Sequence, residues 1–98
     1  RRAGRVIRMM KRALIQVHGR VQGVFFRHSA REKARELNIV GFARNEADGS
    51  VYIEAEGEEI TLEQFITWCR IGPELAQIEE IEVSHNDELK HFTDFSME

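Results

Sequence analysis

The first regular part of the chain has the hydrophobic pattern of a strand followed by a helix. In "ALIQVHG", residues 13–19, Ile15 and Val17 share one face and polar residues alternate with them, which predicts a half-buried strand. Between residues 27 and 38 the period changes, because apolar residues recur every three or four positions among charged ones. That spacing predicts an amphipathic helix that ends near Asn38.

The middle of the chain has the pattern of a hairpin. Residues 40–45 and 50–57 are its predicted arms, and the sequence Asp48-Gly49 lies in the connection. In the second arm apolar residues alternate with polar ones, so we expect the polar side chains to face solvent. We interpret the acidic residues of this region as a solvated edge: Glu54, Glu56, Glu58 and Glu59.

The remaining sequence predicts a second helix and at least one more strand. Thr61 and Gln64 have the spacing of a capping box at the start of that helix. Its inner stripe would consist of Leu62, Phe65, Ile66 and Cys69. Residues 78–85 alternate as a strand, and the final "HFTDFSME" could add a short one.

The order strand, helix, strand, strand, helix, strand predicts an α+β fold. Two split βαβ units give a ferredoxin-like βαββαβ sandwich, with a four-stranded antiparallel sheet and both helices on one face. The last segment is a candidate short fifth strand of this sheet. Because this fold serves many functions, it does not define the function of this chain.

Charge is distributed unevenly along the 98 residues, a length that suits one domain. Residues 1–12 hold six of the 14 basic residues and none of the 17 acidic ones, so residues 13–98 carry a net charge of −9. We expect residues 1–10 to be an extension, either added or upstream of the natural start, and residues 11–98 to form the domain. The alternative is a basic arm for a membrane or a nucleic acid.

An acidic domain is a poor nucleic-acid binder, so we expect no nucleic-acid partner.

Several other classes of protein are disfavoured by composition. No apolar run approaches the roughly 20 residues that span a bilayer, and we expect no secretion signal and no membrane partner. The single cysteine, Cys69, excludes an internal disulfide and suits a reducing compartment, so we expect a cytoplasmic protein. The four histidines show no metal-ligand pairing, so we expect no metal and no other cofactor. We also expect a monomer.

The stretch between the first strand and the first helix has the residues of an anion cradle. Gly19 and Gly23 allow a tight turn and a close approach of a ligand to the backbone, and the N–H groups at the helix start attract anions. Arg27 would add a forked, permanently charged donor for a phosphate. The spacing alone is equally compatible with glycines that only form a turn and an arginine that only faces solvent. The nucleotide P-loop motif GxxxxGK[ST] is absent.

Two longer motifs resemble the acylphosphatase family. The first is Gly19-x-Val21-Gln22-Gly23-Val24-x-Phe26-Arg27, and the second is Gly41-Phe42-Ala43-Arg44-Asn45 followed by Asp48-Gly49-Ser50-Val51. Both have the spacing of the family, and the resemblance extends over residues 11–96. It implies the ferredoxin-like sandwich and an enzyme that hydrolyses the carboxyl–phosphate bond of acyl phosphates to a carboxylate and inorganic phosphate.

The resemblance also implies roles for individual residues. Arg27 corresponds to the phosphate-binding arginine of the family, and Asn45 corresponds to the asparagine that positions the attacking water. The loop whose amides would cradle the phosphoryl oxygens consists of Gln22, Gly23, Val24, Phe25 and Phe26, with Gly19 as its structural glycine. Family members need no metal and form no phosphoenzyme. Inorganic phosphate or sulfate is then expected to compete with the substrate.

Other functions remain open on the sequence. One is a non-catalytic or regulatory anion-binding module of the same fold, against which the presence of Arg27 and Asn45 argues. Another is an acylphosphatase-like domain for carbamoyl-phosphate chemistry in a larger protein, which the short flanks of the domain lead us not to expect. RNA-recognition domains share the strand order, but the outward strand residues here are largely acidic.

Overall fold

The computed structural model of the protein describes residues 9–98, in which there are five strands and two helices. The strands are β1 (Met10–Arg20), β2 (Val40–Asn45), β3 (Val51–Glu58), β4 (Gln77–Asn86) and β5 (Phe95–Met97), and the helices are α1 (Phe26–Glu36) and α2 (Glu59–Cys69). Most of the predicted extension, residues 1–10, lies outside the described residues, whereas Met10 begins β1. Within residues 9–98, neither helix has the length and apolar character needed to cross a membrane.

The strands form one sheet in the order β4-β1-β3-β2-β5. The strands β4, β1, β3 and β2 pair antiparallel with one another, as the predicted ferredoxin-like sandwich requires. The fifth strand is present and runs parallel to β2, pairing Phe95 with Gly41 and Met97 with Ala43. This parallel register carries the chain toward the end of β2, where Asn45 lies.

The core lies between the sheet and the helices, on the faces that the hydrophobic pattern predicted. Its buried side chains include Ile15 and Val17 of β1, Val51 and Ile53 of β3, Ala30 and Ala34 of α1, and the predicted stripe Leu62, Phe65, Ile66 and Cys69 of α2. Phe26, the first residue of α1, packs on Trp68 with ring centroids 5.4 Å apart. Phe65 packs on Phe95 of β5 at 5.9 Å. These contacts fix the start of α1 and the strand β5.

The start of α2 differs from the prediction of a capping box at Thr61 and Gln64. The helix begins at Glu59, and its N-cap residue Glu58 is extended and makes no side-chain cap hydrogen bond. Thr61 Oγ1 donates instead to the carbonyl oxygen of Glu58, at 3.1 Å. Because β3 runs to Glu58, the chain passes directly from strand to helix, and Glu59 places a negative charge in the first turn, where the helix dipole favours it.

The prediction that Glu54 and Glu56 face solvent is wrong. Both side chains are buried, and Glu56 is only 2% exposed. They lie on the side of the sheet away from the helices, where Arg12 is also buried and its Nε lies 3.8 Å from Glu54 Oε1. The alternation of β3 correctly placed these carboxylates opposite the core, but it could not show that another segment covers them.

The cover is the crossing segment, residues 87–94, which passes over this side of the sheet between β4 and β5. Glu56 Oε2 accepts the backbone N–H of Lys90, and Glu56 Oε1 accepts that of Phe92 at 3.3 Å. The ring of Phe92 packs edge-on against Phe42, with centroids 5.8 Å apart. A buried carboxylate therefore holds the segment that brings β5 to the edge of β2.

Candidate active site

A loop between β1 and α1, residues 21–25, forms one side of a surface cavity. Val21 and Val24 are buried in the core, as is Phe26 at the start of α1, so the loop is anchored at three places. Phe25 lies between two anchors and is 71% exposed. Because these side chains alternate between core and surface, the loop is held firmly while part of its backbone borders the cavity.

The backbone of this loop has the conformation of an anion nest. Gly23 and Phe25 have φ angles of 75° and 64°, whereas Val24 between them is not left-handed. Alternation of this kind turns successive N–H groups toward the same side. These donors and the positive end of α1 favour an anion.

Gly19 has a different place from the one expected for a loop glycine. It lies inside β1, at a break in the register between β1 and β4, with a φ of 126°. A Cβ there would overlap the carbonyl oxygen of Gln77 and lie 2.8 Å from the amide nitrogen of Glu79. The group that approaches Gly19 closely is thus the backbone of β4, and no ligand contact is needed to explain this glycine.

Arg27 is the second residue of α1 and lines the cavity. Its Nη1 donates to the main-chain oxygen of Glu98 at 2.6 Å. A guanidinium has five N–H donors in a planar fork, so this bond leaves others for a bound anion. No local sequence pattern indicates this contact, because it depends on the parallel register of β5 with β2.

Asn45, the last residue of β2, lines the same cavity. Its side-chain Oδ1 is buried and has no hydrogen-bond partner among the described residues. A buried carbonyl oxygen without a donor costs about 1–3 kcal/mol. The protein therefore maintains beside the loop an acceptor that its own described groups leave unpaired.

The side chain of Gln22 joins the loop to the hairpin turn that follows Asn45. Gln22 Nε2 donates to the carbonyl oxygens of Glu46, at 2.8 Å, and Ser50, at 3.0 Å. The turn is itself ordered by Asp48, whose Oδ1 accepts from the hydroxyl and the N–H of Ser50 at 2.6 and 2.9 Å. The hydroxyl bond, with the smaller effect of the N–H bond, lowers the pKa of Asp48. The motif predicts a role only for the backbone amide of Gln22, and no local pattern indicates this side-chain link.

The β1–α1 loop, the start of α1 and the end of β2 surround a cavity of about 300 Å³. Its lining residues are Val21, Gly23, Phe25, Phe26, Arg27, His28, Asn45 and Met97. The lining contains the permanent charge of Arg27 and no carboxylate side chain, which suits an anion. Of the residues predicted for the site, Gln22, Val24 and Gly19 do not line the cavity. Met97 was not predicted, since nothing in the local sequence indicates its position.

The described residues 9–98 contain no metal-binding cluster, and their one thiol is buried. Among residues 9–98, no three side chains of histidine, cysteine, aspartate or glutamate are grouped to hold a metal ion. His18 Nε2 lies 2.7 Å from Glu82 Oε1, and His28 Nδ1 accepts from Arg31 Nη2 at 3.3 Å. Cys69 is buried in the core, and this burial raises the pKa of its thiol. Cys69 is therefore a packing residue and not a nucleophile.

The fold and the loop define a small α+β domain with a candidate anion site at the junction of β1 and α1. The family profile of acylphosphatase matches residues 13–97. An acylphosphatase of Shewanella amazonensis is 43% identical over 88 residues, which is 90% of this chain and 97% of that one. The crystal structure of acylphosphatase from Bacillus subtilis is similar with a TM-score of 0.87 and 34% identity, over 91% of this chain and 98% of that chain. The chain belongs to the acylphosphatase family.

The function shown by these similarities is that of an acylphosphatase, which hydrolyses the carboxyl–phosphate bond of acyl phosphates to a carboxylate and inorganic phosphate. The chain is also similar to part of full-length HypF, solved in a phosphate- and nucleotide-bound form, with a TM-score of 0.86 and 34% identity. That match covers 94% of this chain but 12% of that one. The non-catalytic alternative is not favoured.

Proposed function

We propose that acyl phosphates are hydrolysed in this cavity, where Arg27 and the loop amides bind the phosphoryl group and Asn45 positions the attacking water. One observation carries the proposal: residues of the loop, Arg27 and Asn45 border the same space of about 300 Å³. They come from the β1–α1 loop, the start of α1 and the end of β2. Their convergence depends on the whole fold, and it combines the groups that phosphoryl transfer requires.

The phosphoryl oxygens would accept hydrogen bonds from the N–H groups of the loop and from Arg27. The loop consists of Gln22, Gly23, Val24, Phe25 and Phe26, and the nest at Gly23 and Phe25 supports their role. Arg27 would share its fork between the main-chain oxygen of Glu98 and one phosphoryl oxygen. Charge that spreads over these oxygens in the transition state is then met by donors already in place.

Asn45 would hold the nucleophile. A water hydrogen-bonded to the side-chain amide of Asn45, which lines the cavity, would keep a lone pair for attack on phosphorus. The amide cannot act as a general base, because it does not titrate in the useful range. Orientation alone is a large effect, since aligned reactants gain several kcal/mol over free ones.

The reaction needs little else from the protein. The water oxygen bonds to phosphorus while the bond from phosphorus to the carboxyl oxygen breaks, and that electron pair leaves with the carboxylate. The proton of the water passes to the phosphate that forms. Because a carboxylate is a good leaving group, we propose that no metal, general acid or phosphoenzyme is required.

The proposal also includes the competing anions, the cellular location and the oligomeric state. Inorganic phosphate and sulfate would compete for the loop, because they present the same oxygens as the phosphoryl group. The free, buried thiol of Cys69 suits a reducing compartment, so we propose a cytoplasmic location. We propose that the protein acts as a monomer, since the lining groups of the cavity are all supplied by this one chain.

Titration with inorganic phosphate, followed by amide NMR, tests the site directly. The N–H signals of residues 22–27 should shift together in the wild-type protein. Arg27→Ala should weaken the affinity about tenfold or more, because a charge-assisted fork to the anion is lost. Arg70→Ala, which removes an exposed arginine at the end of α2, is the matched control and should bind phosphate as the wild type does.

The proposal predicts a localised response. Shifts confined to residues outside the loop, or equal affinity in Arg27→Ala and Arg70→Ala, would show that phosphate binds elsewhere. A folded spectrum for each variant is the condition for comparing the affinities.

A further inference from the structure

Phe25 is a large aromatic residue that the fold holds out of its core. Its side chain is 71% exposed, whereas the neighbouring Val24 and Phe26 are buried. Its φ of 64° is left-handed, a conformation that costs a residue other than glycine about 1–2 kcal/mol. The chain thus keeps a phenyl ring, on a strained backbone, at the cavity that contains Arg27 and Asn45.

Met97 is the second exposed apolar side chain at this cavity. It is 39% exposed and comes from β5, so it reaches the site from a different part of the fold than Phe25. The thioether is flexible and polarisable and packs well on aromatic groups. Phe25 and Met97 are therefore the accessible apolar part of a lining whose polar side chains are Arg27, His28 and Asn45.

The cavity has room for more than a phosphoryl group. Its volume of about 300 Å³ lies at the lower end of the range for small-molecule pockets. The acyl group of a bound substrate must extend from the cradle, on the side of phosphorus opposite the attacking water. The exposed apolar side chains that line the cavity are Phe25 and Met97.

We propose that Phe25 and Met97 form an acyl-binding subsite that favours acyl phosphates with an aromatic or bulky apolar acyl group. The inference rests on the proposed placement of the phosphoryl group in the loop. Contact between the acyl group and the two side chains removes apolar surface from water and stabilises the bound substrate. An acyl group that carries an additional carboxylate would gain no binding free energy from contact with these two apolar side chains.

The test compares benzoyl phosphate with acetyl phosphate as substrates. The readout is kcat/KM for benzoyl phosphate divided by kcat/KM for acetyl phosphate. This ratio cancels any general loss of activity from disturbing the cradle. In Phe25→Asn the ratio should fall about tenfold, the effect of losing roughly 50–60 Å² of apolar contact. Asparagine tolerates the left-handed backbone, so this variant removes the ring without changing the preferred conformation. Phe25→Leu should retain most of the preference, and Met97→Ala should lower it.

Ile71→Ala is the matched control, because Ile71 is 70% exposed, apolar and outside the cavity. It should leave the ratio at its wild-type value. Both substrates could be hydrolysed while Phe25→Asn and Met97→Ala show the same ratio as Ile71→Ala. That result would refute the subsite and leave the proposed function standing. If the wild type hydrolyses neither substrate, both proposals are refuted.

Discussion

Gln22 connects the two motifs that make up the site. Its backbone belongs to the loop, while its side chain donates to two carbonyl oxygens of the turn after Asn45, those of Glu46 and Ser50. Ser50 is buried and also accepts a hydrogen bond from Gln16 Nε2 at 3.0 Å. One amide group thus links the β1–α1 loop to the turn that follows Asn45.

Gln22→Ala should lower both stability and turnover. Two partly buried carbonyl oxygens lose their donor, so the free energy of unfolding should fall by about 1–3 kcal/mol. Since Asn45 is then held less firmly, kcat should fall more than the affinity for inorganic phosphate. Urea unfolding and steady-state kinetics measure the two effects.

Gln64→Ala is the control for this substitution, because Gln64 is an exposed glutamine on α2. Its unfolding free energy should stay within about 0.5 kcal/mol of the wild-type value. Equal stability and equal kcat in the Gln22 and Gln64 variants would mean that the link is unimportant.

The crossing segment, residues 87–94, is the element that completes the site. It is attached to the sheet through Glu56, which accepts two of its N–H groups, and it leads into β5. β5 in turn supplies Met97 to the cavity, and the next residue, Glu98, contacts Arg27. Glu56 of β3 therefore supports the site indirectly, because the segment that it holds leads into β5 at the edge of the sheet.

Glu56→Ala should destabilise the protein by about 2–4 kcal/mol, because two backbone N–H groups lose a charged acceptor. The N–H groups of Lys90 and Phe92 should also exchange with solvent faster. Hydrogen exchange and urea unfolding measure these changes. Glu63→Ala, which removes an exposed glutamate of α2, should be nearly neutral. Unchanged exchange at Lys90 and Phe92 in Glu56→Ala would contradict the attachment.

The whole molecule shows which parts of the fold are encoded locally. Period-two and helical patterns depend on neighbouring residues, and they predicted the antiparallel strands, both helices and the core faces. The parallel register of β5 and the burial of Glu54 and Glu56 depend on residues far apart in sequence, so no local pattern revealed them. For the candidate site, the motifs predicted Arg27 and Asn45, whereas Met97 entered through the sheet topology alone.

In the proposed mechanism Arg27 binds the phosphoryl group and Asn45 aligns the water, and two variants can distinguish these roles. Benzoyl phosphate hydrolysis is measured with a chelator present throughout, together with the inhibition constant of inorganic phosphate. Wild-type activity under these conditions is itself expected, because the proposed reaction uses no metal. Thermal melts establish that Arg27→Ala and Asn45→Ala remain folded.

The most direct test is the phosphate inhibition constant of Asn45→Ala set against its kcat. We expect kcat to fall about 10²-fold or more, the typical effect of misplacing a reactant, while phosphate inhibition stays near the wild-type value. In Arg27→Ala, by contrast, KM should rise, kcat should fall and phosphate inhibition should weaken, because the guanidinium contacts both bound substrate and transition state. Normal turnover in Asn45→Ala, or a loss of phosphate inhibition as large as that in Arg27→Ala, would contradict the positioning of water by Asn45.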